Sequence, residues 1–201
     1  MSQNSENDAE ESAVLECKKI SHEGIQSRIQ LLNFNFNSSL LNKGGVNRIR
    51  AMPNTPLNII SIFSDTGKVN IYDISQHVQS FDSHQQVSET LLPTHVNKLH
   101  KSEGYGLDWS PTVLGRLLSG DLDGNLLMTE SNGAQFVTGK NGFKGHSDSI
   151  EDIQWSPSQS EVFVSCSADK TVKVWDCRAG RKPQLSIKAH TTDVNVLSWN
   201  R

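Results

Sequence analysis

The stretch Ser149-Ile-Glu-Asp-Ile-Gln-Trp155-Ser-Pro157 has two counterparts in this chain, Gly104-Tyr-Gly-Leu-Asp-Trp109-Ser-Pro111 and Asp193-Val-Asn-Val-Leu-Ser-Trp199-Asn200. The tryptophans of these three copies are 46 and 44 residues apart. A period of this length is typical of a four-stranded propeller blade and not of helical repeats. The sequence therefore predicts an all-β fold built from repeated sheets.

A second motif repeats in the same register and supports this prediction. It is a tight turn followed by an alternating strand that ends in an acidic residue. Its copies are Thr66-Gly-Lys-Val-Asn-Ile-Tyr72-Asp73, Asp123-Gly-Asn-Leu-Leu-Met-Thr129-Glu130 and Asp169-Lys-Thr-Val-Lys-Val-Trp175-Asp176. In addition, Trp109, Trp155 and Trp199 each have a histidine nine positions before them, namely His100, His146 and His190. Three independent registers thus agree.

These registers divide the chain into about three blades and the first strand of a fourth. A propeller typically needs four to eight blades to close its ring, so we expect the N-terminal part of a longer protein, an incomplete propeller. The predicted segments are a disordered acidic tail at 1–13, a ring-closing strand at 14–24, an insertion at 25–44, blade one at 45–103 with an enlarged outer connection at 75–99, blade two at 104–147, blade three at 148–192, and the next strand at 193–201.

The proposed insertion rests on one missing histidine. No histidine lies nine residues before Ala51, which aligns with the tryptophans, but His22 does once residues 25–44 are removed. The segment is then either a lineage-specific loop or a retained intron. The alternative is that His22 matches by accident.

Composition narrows the function classes. The formal net charge of −3 gives no basic face for phosphate groups, which disfavours direct nucleic-acid binding and favours a basic partner. Three cysteines form no disulfide framework, and no segment has the composition of a signal peptide or the length of a membrane span. We therefore expect a cytosolic or nuclear protein without a membrane partner.

One polar constellation resembles a catalytic triad, but its repetition favours a structural role. In blade three, we expect Asp169 to accept a hydrogen bond from His146, which contacts Ser165, which in turn contacts the Trp175 indole. His100, Ser119 and Asp123 are the equivalent residues of blade two, where Thr129 replaces the tryptophan, and His190 begins the next copy. An enzyme rarely repeats a triad around a ring. We predict no catalytic residue, no metal site and no cofactor.

Gly145-His146 with Trp175-Asp176 matches the WD-repeat signature, and residues 14–24 and 45–201 resemble one branch of that family. Glu103-Gly-Tyr-Gly-Leu-Asp-Trp-Ser-Pro111 and Gly115-Arg-Leu-Leu-Ser-Gly-Asp121 are similar to the glutamate-rich WD-repeat proteins of ribosome assembly, which are relatives of the retinoblastoma-associated histone-binding propellers. This resemblance implies a nuclear, largely nucleolar scaffold that chaperones a basic ribosomal protein of the large subunit. The candidate client-binding residues are Glu103, Asp108, Glu151 and Asp152.

Two alternative partners remain open. The relationship to histone-binding propellers implies a histone chaperone. Trp175-Asp176-Cys177-Arg178 resembles the WDxR box of substrate receptors on cullin-based ubiquitin ligases, which implies that Arg178, beside Asp176, contacts the adaptor of the ligase.

Overall fold

The computed structural model describes residue 42 and residues 44–83 and 90–200, with the side chains of residues 80–83 left out. These residues form three antiparallel sheets, one for each predicted blade, and the fold is a WD-repeat type of all-β propeller architecture. The predicted tail at 1–13, the strand at 14–24 and most of the proposed insertion lie outside the described residues.

Each sheet takes its strands in chain order. Blade one contains β1 (Val46–Ala51), β2 (Ile59–Ser64), β3 (Val69–Asp73) and β4 (His95–Asn97), with helix α1 (Ser75–Ser83) in the enlarged connection. Blade two contains β5 (Gly106–Trp109), β6 (Arg116–Gly120), β7 (Asn125–Ser131), β8 (Phe136–Thr138) and β9 (Phe143–Lys144), the last two both pairing with β7. Blade three contains β10 (Ile150–Trp155), β11 (Val162–Ser167), β12 (Thr171–Asp176) and β13 (Leu185–Lys188), with a 3-10 turn at Cys177–Ala179.

The repeat is visible in the turns between the second and third strands of each sheet. Gly67, Gly124 and Lys170 stand at the same turn position, with φ angles of 75°, 76° and 73°. This left-handed conformation has little steric cost for glycine but is uncommon for other residues. The three turns therefore have one geometry although their sequences differ.

Apolar side chains fill the space between neighbouring sheets. Phe63, Val69 and Ile71 of blade one pack against Leu107, Trp109 and Leu117 of blade two. In the same way, Leu118 and Leu126 of blade two pack against Ile153, Trp155 and Phe163 of blade three. Burial of these side chains from water supplies most of the attraction between the sheets.

Directional contacts between the first strands set the position of each sheet on its neighbour. The Trp109 indole Nε1 donates to the Arg50 carbonyl at 3.2 Å, and the Trp199 indole donates to the Gln154 carbonyl at 3.3 Å. The backbone N–H of Trp155 donates to Asp108 Oδ2 at 2.8 Å. Trp109 and Trp155 thus lie at the joints between sheets, and Trp199 lies against the first strand of blade three.

Two predicted segments differ in the structure. Residues 193–200 contain no assigned strand, because no strand among the described residues pairs with them; they contact β10 through bonds such as Leu197 N–H to Asp152 Oδ2 at 3.1 Å. Asn42 and Gly44, which the sequence prediction placed in the insertion, are close to blade one. Asn42 is buried four residues before Val46, as His146 stands four before Ile150, and accepts a hydrogen bond from Asn70 at 2.9 Å.

Candidate functional site

A continuous hydrogen-bond chain crosses the interior of blade three. His146 Nδ1 lies 2.8 Å from Asp169 Oδ2, and His146 Nε2 lies 2.7 Å from Ser165 Oγ. The Trp175 indole donates to the same Ser165 oxygen at 2.8 Å. The structure therefore brings together the four residues that the sequence grouped.

A carboxylate can only accept, so His146 Nδ1 donates to Asp169. When the imidazole is neutral, Nε2 accepts from the Ser165 hydroxyl. The serine oxygen is then free to accept from Trp175 Nε1. In this state each of these donors has one acceptor.

The protonation of the pair follows from its surroundings. Burial lowers the pKa of His146, and the hydrogen bond from His146 to Asp169 opposes this effect only in part. Burial by itself raises the pKa of Asp169, but hydrogen bonds from Thr171 and His146 outweigh it and lower that pKa to about 2. A neutral imidazole facing an ionised carboxylate is the state that agrees with both directions.

In blade two the carboxylate comes from a different residue than predicted. Asp121, not Asp123, accepts from His100, with Oδ2 lying 2.8 Å from Nδ1. Asp123 is exposed at the tip of the turn, and only its backbone N–H bonds to Asp121 Oδ1. Asp121 stands at the repeat position of Ser167, whose side chain points inward, and its carboxylate therefore reaches His100. The prediction of Asp123 was wrong. His100 Nε2 still reaches Ser119 Oγ at 2.7 Å.

The replacement of tryptophan by Thr129 changes the rest of the blade-two network. No indole reaches Ser119, and Thr129 Oγ1 instead lies 2.8 Å from Thr138 Oγ1. Thr138 in turn lies 3.0 Å from His95 Nε2, which belongs to β4 of blade one. The lost bond within the blade is thus exchanged for a polar link between the outer strands of two blades.

The remaining predicted member, His190, is exposed and has no side-chain hydrogen bond among the described residues. In blade one, Ile62 stands where blade three has Ser165, and the polar contacts instead join Asn42, Asn70 and the Tyr72 hydroxyl. The repeat alignment of the sequence shows that these positions differ between blades. It does not show in which direction an asparagine side chain points.

The geometry of the triad gives a substrate no access to the serine. Both histidine side chains have an exposed fraction of 0%, and Ser119 and Ser165 are 1% and 0% exposed. Each serine hydroxyl is already used by its histidine, and Ser165 also by Trp175. The arrangement therefore satisfies buried polar groups.

Two of the candidate client-binding residues, the buried Asp152 and the half-buried Asp108, hold neighbouring segments together. Asp152 is 5% exposed and accepts backbone N–H groups of Ile153 and Leu197. Asp108 holds the joint to blade three through Trp155 N–H, and burial raises its pKa to about 7 against the opposing effects of that bond and of Arg50. Their acidic character predicted a surface role, but the structure uses both carboxylates between strands.

Glu103 and Glu151 are half-buried where strands β5 and β10 begin. Glu103 Oε2 accepts from Asn47 Nδ2 at 2.7 Å, and Glu151 accepts from the Ser149 hydroxyl. Asp65, Asp123, Asp148 and Asp193 are exposed near the equivalent strand ends. We call this group of carboxylates the acidic rim; it consists of Asp65, Glu103, Asp123, Asp148, Glu151 and Asp193.

Asp176 and Arg178 form a surface pair after β12. Arg178 Nη2 lies 2.6 Å from Asp176 Oδ2, and Nε donates to Asp176 Oδ1 at 2.9 Å. The hydrogen bonds from Arg178 lower the pKa of Asp176 to about 2. The arginine side chain remains 70% exposed, so the WDxR-like box holds a fixed cation at the surface.

Sequence reasoning missed a clamp between blades two and three. Arg116 pairs with Glu130 of its own blade at 2.8 Å and with Glu161 of blade three at 2.9 Å. Its guanidinium also lies over the Trp155 ring, 5.8 Å from the centroid. Arg116 occurs in only one repeat, so the repeat pattern gave no signal for it.

Within the described part of the chain, no helix is long and apolar enough to cross a membrane, and no group of three or more His, Cys, Asp or Glu residues could hold a metal ion. The two cysteines of that part, Cys166 and Cys177, are not disulfide-bonded. Burial raises the pKa of Cys166 to about 12 and that of Cys177 to about 11, so both are thiols at neutral pH.

The repeated antiparallel sheets with tryptophans at their joints define the class. Residues 135–176 match the family model of the WD domain, G-beta repeat, and the chain belongs to the WD-repeat proteins.

Among curated proteins, the chain is 40% identical over 164 residues to Glutamate-rich WD repeat-containing protein 1 of Dictyostelium discoideum, a match that covers 82% of this chain and 32% of that protein. It is 40% identical over 169 residues to ribosome assembly protein rrb1 of Schizosaccharomyces pombe, covering 80% and 35% of the two chains. It is 42% identical over 151 residues to Protein HEAT STRESS TOLERANT DWD 1 of Arabidopsis thaliana, covering 72% and 32%. The chain thus spans about a third of the length of these relatives.

Proposed function

We propose that this protein is a non-catalytic WD scaffold in ribosome assembly that binds a basic ribosomal protein of the large subunit in the nucleolus. The observation that carries the proposal is the 40% identity to a ribosome assembly protein over 80% of the chain. The buried His-Ser pairs are consistent with a scaffold, because their polar atoms form hydrogen bonds to each other inside the blades.

The acidic rim is the surface that we propose for the client. Because the carboxylates of Asp108 and Asp152 already accept hydrogen bonds from neighbouring segments, Glu103 and Glu151 are the candidates that remain from the sequence, joined by the exposed Asp123. Carboxylates on a rigid sheet edge attract lysine and arginine side chains, and they accelerate encounter more than they tighten the final complex.

A binding experiment with purified proteins tests this proposal. The chain is titrated with basic large-subunit ribosomal proteins and, separately, with core histones, and the dissociation constants are compared. We expect tighter binding of one ribosomal protein and at least tenfold weaker binding after combined Glu103→Gln, Asp123→Asn and Glu151→Gln. Glu130→Gln, which removes a carboxylate away from the rim, is the control. Preference for histones would replace this proposal with the histone-chaperone alternative.

The exposed Arg178 favours a second candidate, a substrate receptor of a cullin-based ubiquitin ligase. Asp176 holds the guanidinium in one place while leaving most of it exposed. Arg178→Ala is therefore expected to abolish capture of the purified ligase adaptor without changing the thermal unfolding midpoint by more than about 2 °C. Absence of adaptor binding by the unmodified chain would exclude this candidate.

A further inference from the structure

A loop of blade three crosses to the outer edge of blade two and carries unpaired cations. The Arg181 carbonyl accepts from Lys144 N–H of β9 at 3.1 Å, and the Arg181 guanidinium lies 4.4 Å from the centroid of the Phe143 ring. Pro183 lies beside Gly145, where an added Cβ would come within 2.9 Å of its ring. The loop is therefore fixed at both the backbone and the side-chain level. We call Lys144, Arg178, Arg181 and Lys182 the basic bridge.

The charges of the basic bridge are not balanced locally. Asp176 is paired with Arg178, and Arg116 pairs with both Glu130 and Glu161, so a single negative charge remains against the three cations that follow. Lys144, Arg181 and Lys182 are exposed and form no ion pair among the described residues. Three positive charges thus face solvent from a rigid support.

We propose that the basic bridge binds the phosphate backbone of single-stranded RNA. Small residues, Ala179, Gly180 and Gly145, lie between the cations, so the basic bridge itself carries no large apolar side chain of the kind that dominates protein–protein interfaces. The exposed Leu185 and Ile187 belong to the adjoining strand β13. A surface that offers charge without an apolar centre fits a polyanion. Arginine and lysine both contact phosphate, the former through its planar fork.

The net charge of −3 had disfavoured nucleic acid at the level of the whole sequence. That sum conceals the local surplus, because four acidic residues lie within the first twelve positions alone and others form the acidic rim. Binding to RNA at the outer edge is independent of the client site at the rim, so this inference does not depend on the proposed function.

Salt dependence provides the test. Binding of the purified chain to a short fluorescein-labelled single-stranded RNA is measured by anisotropy between 50 and 200 mM salt. Three phosphate contacts predict a log–log slope of about −2 and a loss of affinity of about 15-fold over this range. Lys144→Gln, Arg181→Gln and Lys182→Gln together should bring the slope close to zero.

The matched control is Lys98→Gln, Lys101→Gln and Lys188→Gln, which has the same net charge but leaves the basic bridge intact. Because Arg181 packs on Phe143, the double variant Lys144→Gln and Lys182→Gln is measured as well, and it should reduce the slope by about two thirds. No binding by the unmodified chain at 50 mM salt, or equal loss in the control, would overturn the proposal. Displacement of the RNA by polyglutamate at lower concentration than by unlabelled RNA would instead assign the surface to an acidic protein.

Discussion

Ser165→Ala should destabilise the protein about twice as much as Ser119→Ala, although the two serines are equivalent in the repeat. Ser165 donates to His146 Nε2 and accepts from the Trp175 indole, whereas Ser119 contacts only His100 Nε2. Removing a hydroxyl therefore leaves two buried partners without a bond in blade three and one in blade two.

The magnitude follows from the number of orphaned groups. A buried donor or acceptor without a partner costs about 1–3 kcal/mol, so we expect a loss of about 1–3 kcal/mol for Ser119→Ala and about 2–6 kcal/mol for Ser165→Ala. Both serines are fully buried, with exposed fractions of 1% and 0%, so water cannot replace the lost contact without entering the blade.

Equilibrium unfolding in urea, followed by circular dichroism, measures both free energies. Trp175→Phe completes a double-mutant cycle with Ser165→Ala, and the interaction free energy of the pair should be about 0.5–3 kcal/mol. An equal or larger loss for Ser119→Ala, or an interaction free energy of zero between Ser165 and Trp175, would refute the reasoning from hydrogen bonds.

Three further predictions concern pH and packing. Because burial lowers the pKa of His146, the unfolded chain takes up a proton more readily, and stability should fall as pH decreases below about 6.5; thermal unfolding between pH 8 and 5 should show a smaller fall in His146→Gln. Burial raises the pKa of Asp108 to about 7, so the effect of pH is opposite: protonated Asp108 contributes stability that is lost as pH rises through 7. Asp108→Asn keeps an acceptor for Trp155 N–H. This variant should be about 1–2 kcal/mol more stable than the unmodified chain at pH 8 and equal to it at pH 4. Gly120→Ala should cost about 1–3 kcal/mol, because the added Cβ would lie 2.6 Å from Ile150 Cγ2, while Gly139→Ala, whose nearest neighbour is at 3.7 Å, should be nearly neutral; equal losses would contradict the packing argument.

The repeat register predicted the sheets because it depends on local rules. Alternating apolar residues, turn residues and the tryptophan spacing all act within one blade, and the three sheets follow them. The register also predicted His146, Ser165, Asp169 and Trp175 as one group. It failed at Asp123, because the register aligns Asp123 with Asp169, whereas Asp121, which stands at the position of Ser167, directs its carboxylate to His100.

The exposure of the candidate binding residues was predicted less accurately than the sheets, for a related reason. An acidic residue at a strand end has the same sequence signature whether it faces solvent or holds the next blade. Asp152 accepts the backbone N–H of Leu197, which lies 45 positions away, and Asp108 accepts that of Trp155, 47 positions away. Such contacts depend on how neighbouring blades are placed, and no local pattern contains that information.

The joints between blades show how non-identical repeats can form one regular structure. At the last joint Gln154 accepts the backbone N–H of Trp199 with its side chain and the indole N–H with its carbonyl. At the joint between blades two and three, Asp108 takes the backbone N–H, but the buried Trp155 Nε1 has no partner among the described residues. This is the joint that Arg116 spans, with its guanidinium over the Trp155 ring and an ion pair to Glu161. A buried N–H without an acceptor weakens a contact. The contacts of Arg116, which has no counterpart in the other repeats, therefore offset the missing indole hydrogen bond at this joint. The geometry between blades is kept although different bonds hold it.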